Sequence, residues 1–477
     1  MPRSGYPCRV CHVVSQPQEI DWVSTRVEPA IEARIGPVTA EYSRPMRFFG
    51  QHDSVVTRSY GSLHPYNDYA VDYPYAVVPE TVWQTDRLKL RTELPQRTYV
   101  FAQLFQGTTE NLQRDTHRDS YGFDVRASNS YFSRMTLSGF VRYNRQLNQF
   151  PPYLVTPEDI TLFVPTAIVP PYGLRHPIDY LRISTGADAV WRPFRTGGLA
   201  DQLAFNAGTE LGTIGRSYAD YQVENPPGFV TQDYTSYVSY SVATSMRWHP
   251  RFDNRVRYRH RNTSHPLFGL DSYFDVTNTN LPTSEDMVSL DTTWLAADNF
   301  MATASVSLEN RHNHSSVADY VEDNYPLIFT FWYAPRSAWS ISGGYGFLSN
   351  WIDQDMYFPG DTPEVEPLDR QQWDYGGRGH VLSFGASYAC TERLTFSGSL
   401  QEVWATDVFE PLALWPDLPS YSDVQVSTRR YACGIDWTAR AHLSAYLRYI
   451  YEHYDDVSAP YNSGRAHMVL AGLTGTR

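Results

Sequence analysis

The fold is decided by residues 380–404, HVLSFGASYAC-TE-RLTFSGSLQEVW. In His380–Cys390, Leu382, Phe384, Ala386 and Tyr388 fall on one face. In Arg393–Trp404, Leu394, Phe396, Gly398 and Leu400 alternate with Thr395, Ser397, Ser399 and Gln401. Side chains of a β-strand point to opposite faces in turn, so strict alternation over segments this long marks strands with one apolar and one polar face. Only Thr391-Glu392 separates the two segments, which leaves room for a tight hairpin and nothing more.

The same pattern recurs along the chain. Leu327, Phe329, Phe331 and Tyr333 face one way, and after Ala334-Pro335-Arg336 come Trp339, Ile341, Gly343, Tyr345 and Phe347. In Ala441–Tyr454, Leu443, Ala445, Leu447, Tyr449 and Tyr451 alternate with His442, Ser444, Tyr446, Arg448 and Glu452. Short connections centre on Pro95-Gln96, Ser130-Tyr131, Gly197-Gly198, Phe252-Asp253, Asp298-Asn299, Pro335-Arg336, Thr391-Glu392 and Ala439. Long stretches rich in Pro, Asp and Asn lie between them, near 109–116, 149–176, 217–231, 265–284, 313–323, 354–378, 409–423 and 455–463. Short turns alternating with long loops, around strands of roughly 10–16 residues, give the wiring of an outer-membrane β-barrel. Lipid offers no partner to a free backbone N–H or C=O, so a sheet crosses a membrane only when closed. The expected fold is therefore all-β: a large transmembrane antiparallel barrel of about 18–20 strands, with short periplasmic turns and long extracellular loops, in the bacterial outer membrane.

Composition agrees with this. Aromatic residues make up 15% of the 477, with 35 Tyr and 12 Trp, and such rings suit a membrane interface. The mean hydropathy of −0.44 and the lack of any apolar run of ~18 residues argue against membrane helices. A net charge of −13 disfavours nucleic acid as a partner. No fixed-length repeat marks a propeller or solenoid. The N-terminus, MPRSGYPCRVCHVV, has no charged region followed by an apolar core. No signal peptide is visible, and the chain is expected to be a mature form, a fragment or a sequence with a misplaced start.

Two cationic stripes stand out. Arg87, Lys89 and Arg91 alternate with Leu88 and Leu90, and Arg255, Arg257, Arg259 and Arg261 alternate with Val256, Tyr258 and His260. A cation facing lipid would cost ~2–4 kcal/mol at the midplane, so the stripes are expected to line the lumen. There they serve either as a solvated lining or as a grip on an anionic guest.

Cys8-Arg9-Val10-Cys11-His12 fits the attachment signature of a c-type haem. Both thiols would bond the haem and His12 would ligate its iron. A redox or structural Cys-x-x-Cys followed by a chance His is the alternative; a zinc half-site lacks its second cysteine pair. His52 and His64 are the nearest candidates in sequence for a second axial ligand. Cys390 and Cys433, with one strand between them, would sit ~10 Å apart, too far for a disulfide, and are expected as wall residues. Asp353, Asp355, Asp361, Glu364, Glu366 and Asp369 crowd a stretch expected to be a solvated acidic loop, without EF-hand spacing for calcium. His312 and His314 are placed where a strand meets a loop, a weak pointer to metal, and no resident metal is expected. No GxSxG, HExxH, Walker A or dinucleotide motif is present, and no enzyme is expected.

With these features placed, the chain resembles the MtrB/PioB family of outer-membrane barrels. The resemblance rests on the early Cys8-x-x-Cys11 and on EARIGPVTAEYSRPMRFFG around Gly36. It rests also on TDRLKLRTELPQRTYVFAQL and MTLSGFVRYNRQLNQ, and it covers roughly the first 150 residues best. It implies a porin-like sheath around a periplasmic multihaem c-type cytochrome, for electron transfer across the outer membrane and onward to an extracellular cytochrome. It implies no cofactor in the barrel itself, apart from one c-type haem if Cys8, Cys11 and His12 hold it. The chain departs from the family in being shorter, in carrying His12, and in ending at Thr476-Arg477 rather than an aromatic residue. Residues 1–27 are expected as a periplasmic segment and 28–477 as the barrel. The competing expectation is a solute-conducting porin whose charged lining sets its selectivity.

Overall fold

The computed structural model describes residues 21–52, 57–60, 71–74, 78–112, 116–149, 178–194, 202–218, 234–266, 282–315, 318–358, 369–411, 423–440 and 443–475. Among the described residues the regular structure is strand, with a 3-10 turn at Pro460–Asn462. In chain order the first strands are β1 (Trp22–Val27), β2 (Ala30–Ile35), β3 (Val38–Ser43), β4 (Met46–Gln51), β5 (Thr57–Tyr60), β6 (Val71–Pro74), β7 (Thr81–Leu94) and β8 (Thr98–Asn111). Then come β9 (Thr116–Asn129), β10 (Met135–Asn148), β11 (Ile178–Trp191), β12 (Leu203–Tyr218), β13 (Tyr234–His249), β14 (Phe252–Ser264), β15 (Ser284–Ala297) and β16 (Phe300–Ser315). The last are β17 (Ala318–Asn324), β18 (Leu327–Arg336), β19 (Trp339–Phe358), β20 (Asp369–Thr391), β21 (Leu394–Pro411), β22 (Val424–Arg440), β23 (Leu443–Asp456) and β24 (Gly464–Gly475). Of these, 22 belong to one sheet and β5–β6 form a second. Among the described residues the strand pairings are antiparallel and join strands close in sequence, as in a meander.

Three breaks occur at prolines: Glu28-Pro29, Arg44-Pro45 and Tyr325-Pro326. Proline has no N–H to donate, so the ladder halts. Each of these prolines still accepts through its carbonyl, Pro29 from Arg44, Pro45 from Thr85 and Pro326 from Ser307, at 3.0–3.1 Å. The sheet therefore continues past each break, and 22 strands less three interruptions leave 19 continuous runs, within the expected range. β1 pairs with β4, so the sheet extends ahead of residue 28. The β2–β3 hairpin turns through Gly36 at φ +60°, a conformation open to glycine and strained for most other residues.

The chain divides into two compact units, Met1–Asn129 with Gly139–Thr185 and Gly212–Gly228, and Ser130–Ser138 with Gly186–Leu211 and Phe229–Arg477. Neither has a conventional core. Among the described residues only three hydrophobic side chains are buried, Ala302, Tyr320 and Ile450, whereas Val256 and Leu447 are 50% exposed. Such a surface suits lipid, because leaving it exposed to water would forfeit ~25 cal/mol per Å² of apolar area.

Within the second unit the apolar face carries two aromatic rows. On the short-turn side Trp294 meets Phe300 at 6.0 Å, Phe300 meets Tyr333 at 6.0 Å, and Trp339 stacks on Tyr388 at 4.4 Å; Phe396 and Trp437 extend the row. On the long-loop side His380 touches Tyr345 and Phe347 and lies opposite Trp404, while Tyr431 stacks on Tyr451 and His467 tilts against Tyr451. Phe384, Leu400, Ile435 and Leu447 fill the band between. Phe396 and Trp404 are eight residues apart on β21, roughly 26 Å at strand rise, close to the height of the apolar band of outer-membrane barrels.

Two expectations need correction. Residues 318–323, expected as loop, form β17, wedged between β16 and β19. The stretch 354–378 is mostly strand, since β19 runs to Phe358 and β20 starts at Asp369. Asp353 and Asp355 thus belong to β19, and His312 and His314 lie within β16. The reason is the same in each case. Past the bilayer a wall no longer needs an apolar face, so hydropathy alternation fades while the backbone ladder carries on. Two turn positions also shift by two residues: β13 and β14 are joined at Pro250-Arg251, and β18 and β19 at Ser337-Ala338.

Candidate functional site: the polar face of the wall

In the first unit the polar face of β7 carries Arg87, Lys89 and Arg91, and register brings β3 alongside, with Glu41 opposite Lys89. Lys89 Nζ lies 2.7 Å from Glu41 Oε1, and Arg91 Nη2 3.3 Å from Glu41 Oε2. One carboxylate therefore offsets two of the three cations. The Arg87 Nε is buried without a hydrogen-bond acceptor. Farther along the same face Asp124 of β9 holds Arg126 at 2.6 Å and Arg142 at 3.5 Å. Glu41, Asp124 and Arg142 were not foreseen as partners, because Glu41 and Lys89 are far apart in sequence and only strand register joins them.

In the second unit β14 presents Arg255, Arg257, Arg259 and Arg261 on the face opposite Val256, Tyr258 and His260. Across the ladder on β13 stand Ser245, Ala243, Ser241 and Ser239; on β15 stand Asp291, Ser289, Met287 and Glu285. Asp291 is opposite Arg255 and Glu285 opposite Arg261, yet none of the four arginines forms an ion pair with a described carboxylate. Arg261 instead lies over the Tyr237 ring at 4.1 Å, and the Nε atoms of Arg259 and Arg261 are buried without an acceptor. At the short-turn end of the ladder a depression of about 410 Å³ is bounded by Arg192, Asn206, Asp253, Arg255 and Asp291.

From β15 to β21 this polar face carries many small side chains, and beyond them Arg448 pairs with Asp436 at 3.6 Å and Arg430 with Glu452 at 4.0 Å. Ser289 faces Ser307, Thr303 bonds Thr330 at 2.6 Å, and Ser340 bonds Ser387 at 2.6 Å. Gly344 is opposite Ser383, Gly385 opposite Ser399, and Ser397 opposite Gly434. Small side chains let another surface approach the backbone, and their hydroxyls remain available as donors and acceptors.

Cys8, Cys11, His12 and His64 lie outside the described residues. Cys390 and Cys433 are exposed free thiols; Cys433 shares the apolar face with Tyr449. Among the described residues no group of three or more His, Cys, Asp or Glu is arranged to hold a metal ion.

Solved structures settle the architecture. The ferric-catecholate import receptor Fiu from E. coli K12 matches with a TM-score of 0.61 at 11% identity, covering 96% of this chain and 75% of that one. The FrpB iron transporter from Neisseria meningitidis matches at 0.55 and 10% identity, covering 94% and 71%. The siderophore receptor PirA from Pseudomonas aeruginosa matches at 0.50 and 10%, covering 96% and 77%. The fold is that of a large outer-membrane β-barrel. A wall of this kind works in the bacterial outer membrane, the expected location. No protein-family model matches the chain, and no curated protein does.

Proposed function

We propose that the barrel is a sheath whose polar inner face holds an anionic protein guest, a multihaem c-type cytochrome, so that electrons cross the outer membrane through the guest. The observation that carries this reading is the ladder Arg255, Arg257, Arg259 and Arg261, which stands beside small side chains on β13 and lacks carboxylate partners among the described residues. Guanidinium groups without a carboxylate partner, beside small side chains, favour a docked anionic surface, acidic side chains or haem propionates, at this stretch of the wall. The resemblance of the first ~150 residues to the MtrB/PioB family supports the choice of guest. On this reading Cys8, Cys11 and His12 would hold a haem of their own. The barrel supplies position and dielectric while the guest's haems carry out the redox chemistry.

The test is purification in detergent from cells that make a multihaem cytochrome, followed by haem staining. The cytochrome should copurify and should dissociate as salt is raised. A barrel isolated without it from such cells would overturn the proposal.

A second reading is favoured by the solved neighbours, which are transporters and receptors: a barrel that passes a solute past its charged lining. Conductance in planar bilayers separates the two, since an occupied sheath passes little current and a solute channel passes much.

A further inference from the structure

We propose that the apolar, lipid-facing surface of β22–β24 binds the phosphate of an anionic lipid headgroup in the leaflet on the long-loop side. Register sets Arg429 of β22 opposite His453 of β23, and His453 opposite Arg465 of β24. All three share the face that carries Tyr431, Tyr449, Ile435, Leu447 and Val469. Directly opposed residues of an antiparallel sheet have Cβ atoms ~5 Å apart, so the three side chains stand close enough to meet one ligand. A basic row is thus held across three adjacent strands on the surface where charge is least expected.

Its height matters as much as its charge. Tyr431, Tyr451 and His467 form the aromatic row, and Arg429, His453 and Arg465 each lie two residues beyond it toward the long loops, roughly 7 Å at strand rise. Aromatic rows sit at headgroup depth, so the guanidinium groups stand at the level of the lipid phosphates. Among the described residues one carboxylate pairs with the row, at its Arg429 end. Arg429 Nε is 3.6 Å from Glu402 Oε1; Asp455, the next outward-facing residue of β23, accepts from the Ser463 hydroxyl at 3.2 Å. Neither Arg465 nor His453 forms an ion pair with a described carboxylate. Two guanidinium groups flanking a half-buried imidazole match a phosphate, which accepts several charge-assisted hydrogen bonds at once.

The test is native mass spectrometry of the full chain in detergent, titrated with bis-phosphorylated lipid A and with the same lipid stripped of its phosphates. The phosphorylated lipid should stay bound at low micromolar concentration and the stripped lipid should bind at least tenfold more weakly. Arg429→Gln/Arg465→Gln should lose that preference, Arg429→Lys/Arg465→Lys should keep most of it, and Arg336→Gln, on the short-turn side, should leave it unchanged. Heat-modified gel mobility checks that each variant is folded. Equal retention of the two lipids, or a folded Gln variant that discriminates as well as the parent, would overturn the site. Displacement of the lipid by millimolar inorganic phosphate would show an ion site rather than a lipid site and would overturn it equally.

Discussion

The Tyr320 hydroxyl donates to Glu322 Oε2 at 2.6 Å, and both residues are only 7% exposed. The carboxylate also accepts from Asn324 at 2.7 Å and from Arg311, whose Nη1 is 3.2 Å away; Asn350 adds a longer bond at 3.3 Å. This network locks β17 between β16 and β19. It stands beyond the bilayer, since Glu322 pairs with Ile352, five residues past Phe347 of the aromatic row and roughly 17 Å farther out. Removing one partner of such a buried pair strands the others without bonds. Glu322→Ala should cost about 3–5 kcal/mol locally, read as a large loss of amide protection in β17 by hydrogen exchange, with the bilayer-level strands unaffected.

The same carboxylate gives a pH dependence. Burial works to raise the Glu322 pKa, but the bonds from Tyr320 and Asn324 and the charge of Arg311 outweigh it and hold the pKa below its ordinary value of 4.5. The phenol of Tyr320 is pushed up, first by burial and then by that carboxylate. A carboxyl depressed in the folded state contributes stability that is present above its unfolded pKa and lost as pH falls through the folded one. Protection of β17 should therefore be flat from neutral pH down to about 4.5 and decline below that. Glu322→Gln should remove the acid-side decline, which pH-resolved hydrogen exchange would register.

Face assignment makes a sharper test. Leu400 shares the apolar face with Phe384 and Tyr431, while Ser399 beside it lies between Gly385 and Ala432 on the polar face. Leu400→Arg should destabilise the barrel by about 2–4 kcal/mol, the cost of a cation near the bilayer midplane. Ser399→Arg should change stability far less. Urea unfolding in lipid vesicles compares the two, and equal costs would contradict the assignment.

Gly343 is roofed by the ring of Phe331 on the neighbouring strand: a Cβ on the glycine would run into that ring. Aromatic cover of a strand glycine is a recognised way of stabilising sheets. Gly343→Ala and Phe331→Ala should each destabilise by about 1 kcal/mol. The double variant should cost less than the sum, because each change removes the same contact.

The cationic ladder predicts function under either reading. Arg257→Gln with Arg259→Gln should leave the wall intact, since neither residue forms an ion pair with a described carboxylate. If a guest is held, its retention should fall, and what remains should depend less on salt. If the barrel conducts, its selectivity should shift toward cations, visible as a change in reversal potential.

Period-two alternation around residues 380–404 was enough to read strands, faces and the rhythm of turns, because a wall between lipid and water must repeat that contrast at every second position. The tight turns at Pro95-Gln96, Ser130-Tyr131 and Asp298-Asn299 were legible for the same reason. What the alternation could not report lay beyond the bilayer: β17 and the outer ends of β19 and β20 carry no lipid-facing stripe, and only their backbone ladders reveal them. The pairings Glu41–Lys89 and Arg429–His453–Arg465 likewise depend on register between strands. Spacing within one segment fixes which side of the wall a residue occupies; which charges become neighbours is decided when whole strands align, a property of the folded sheet alone.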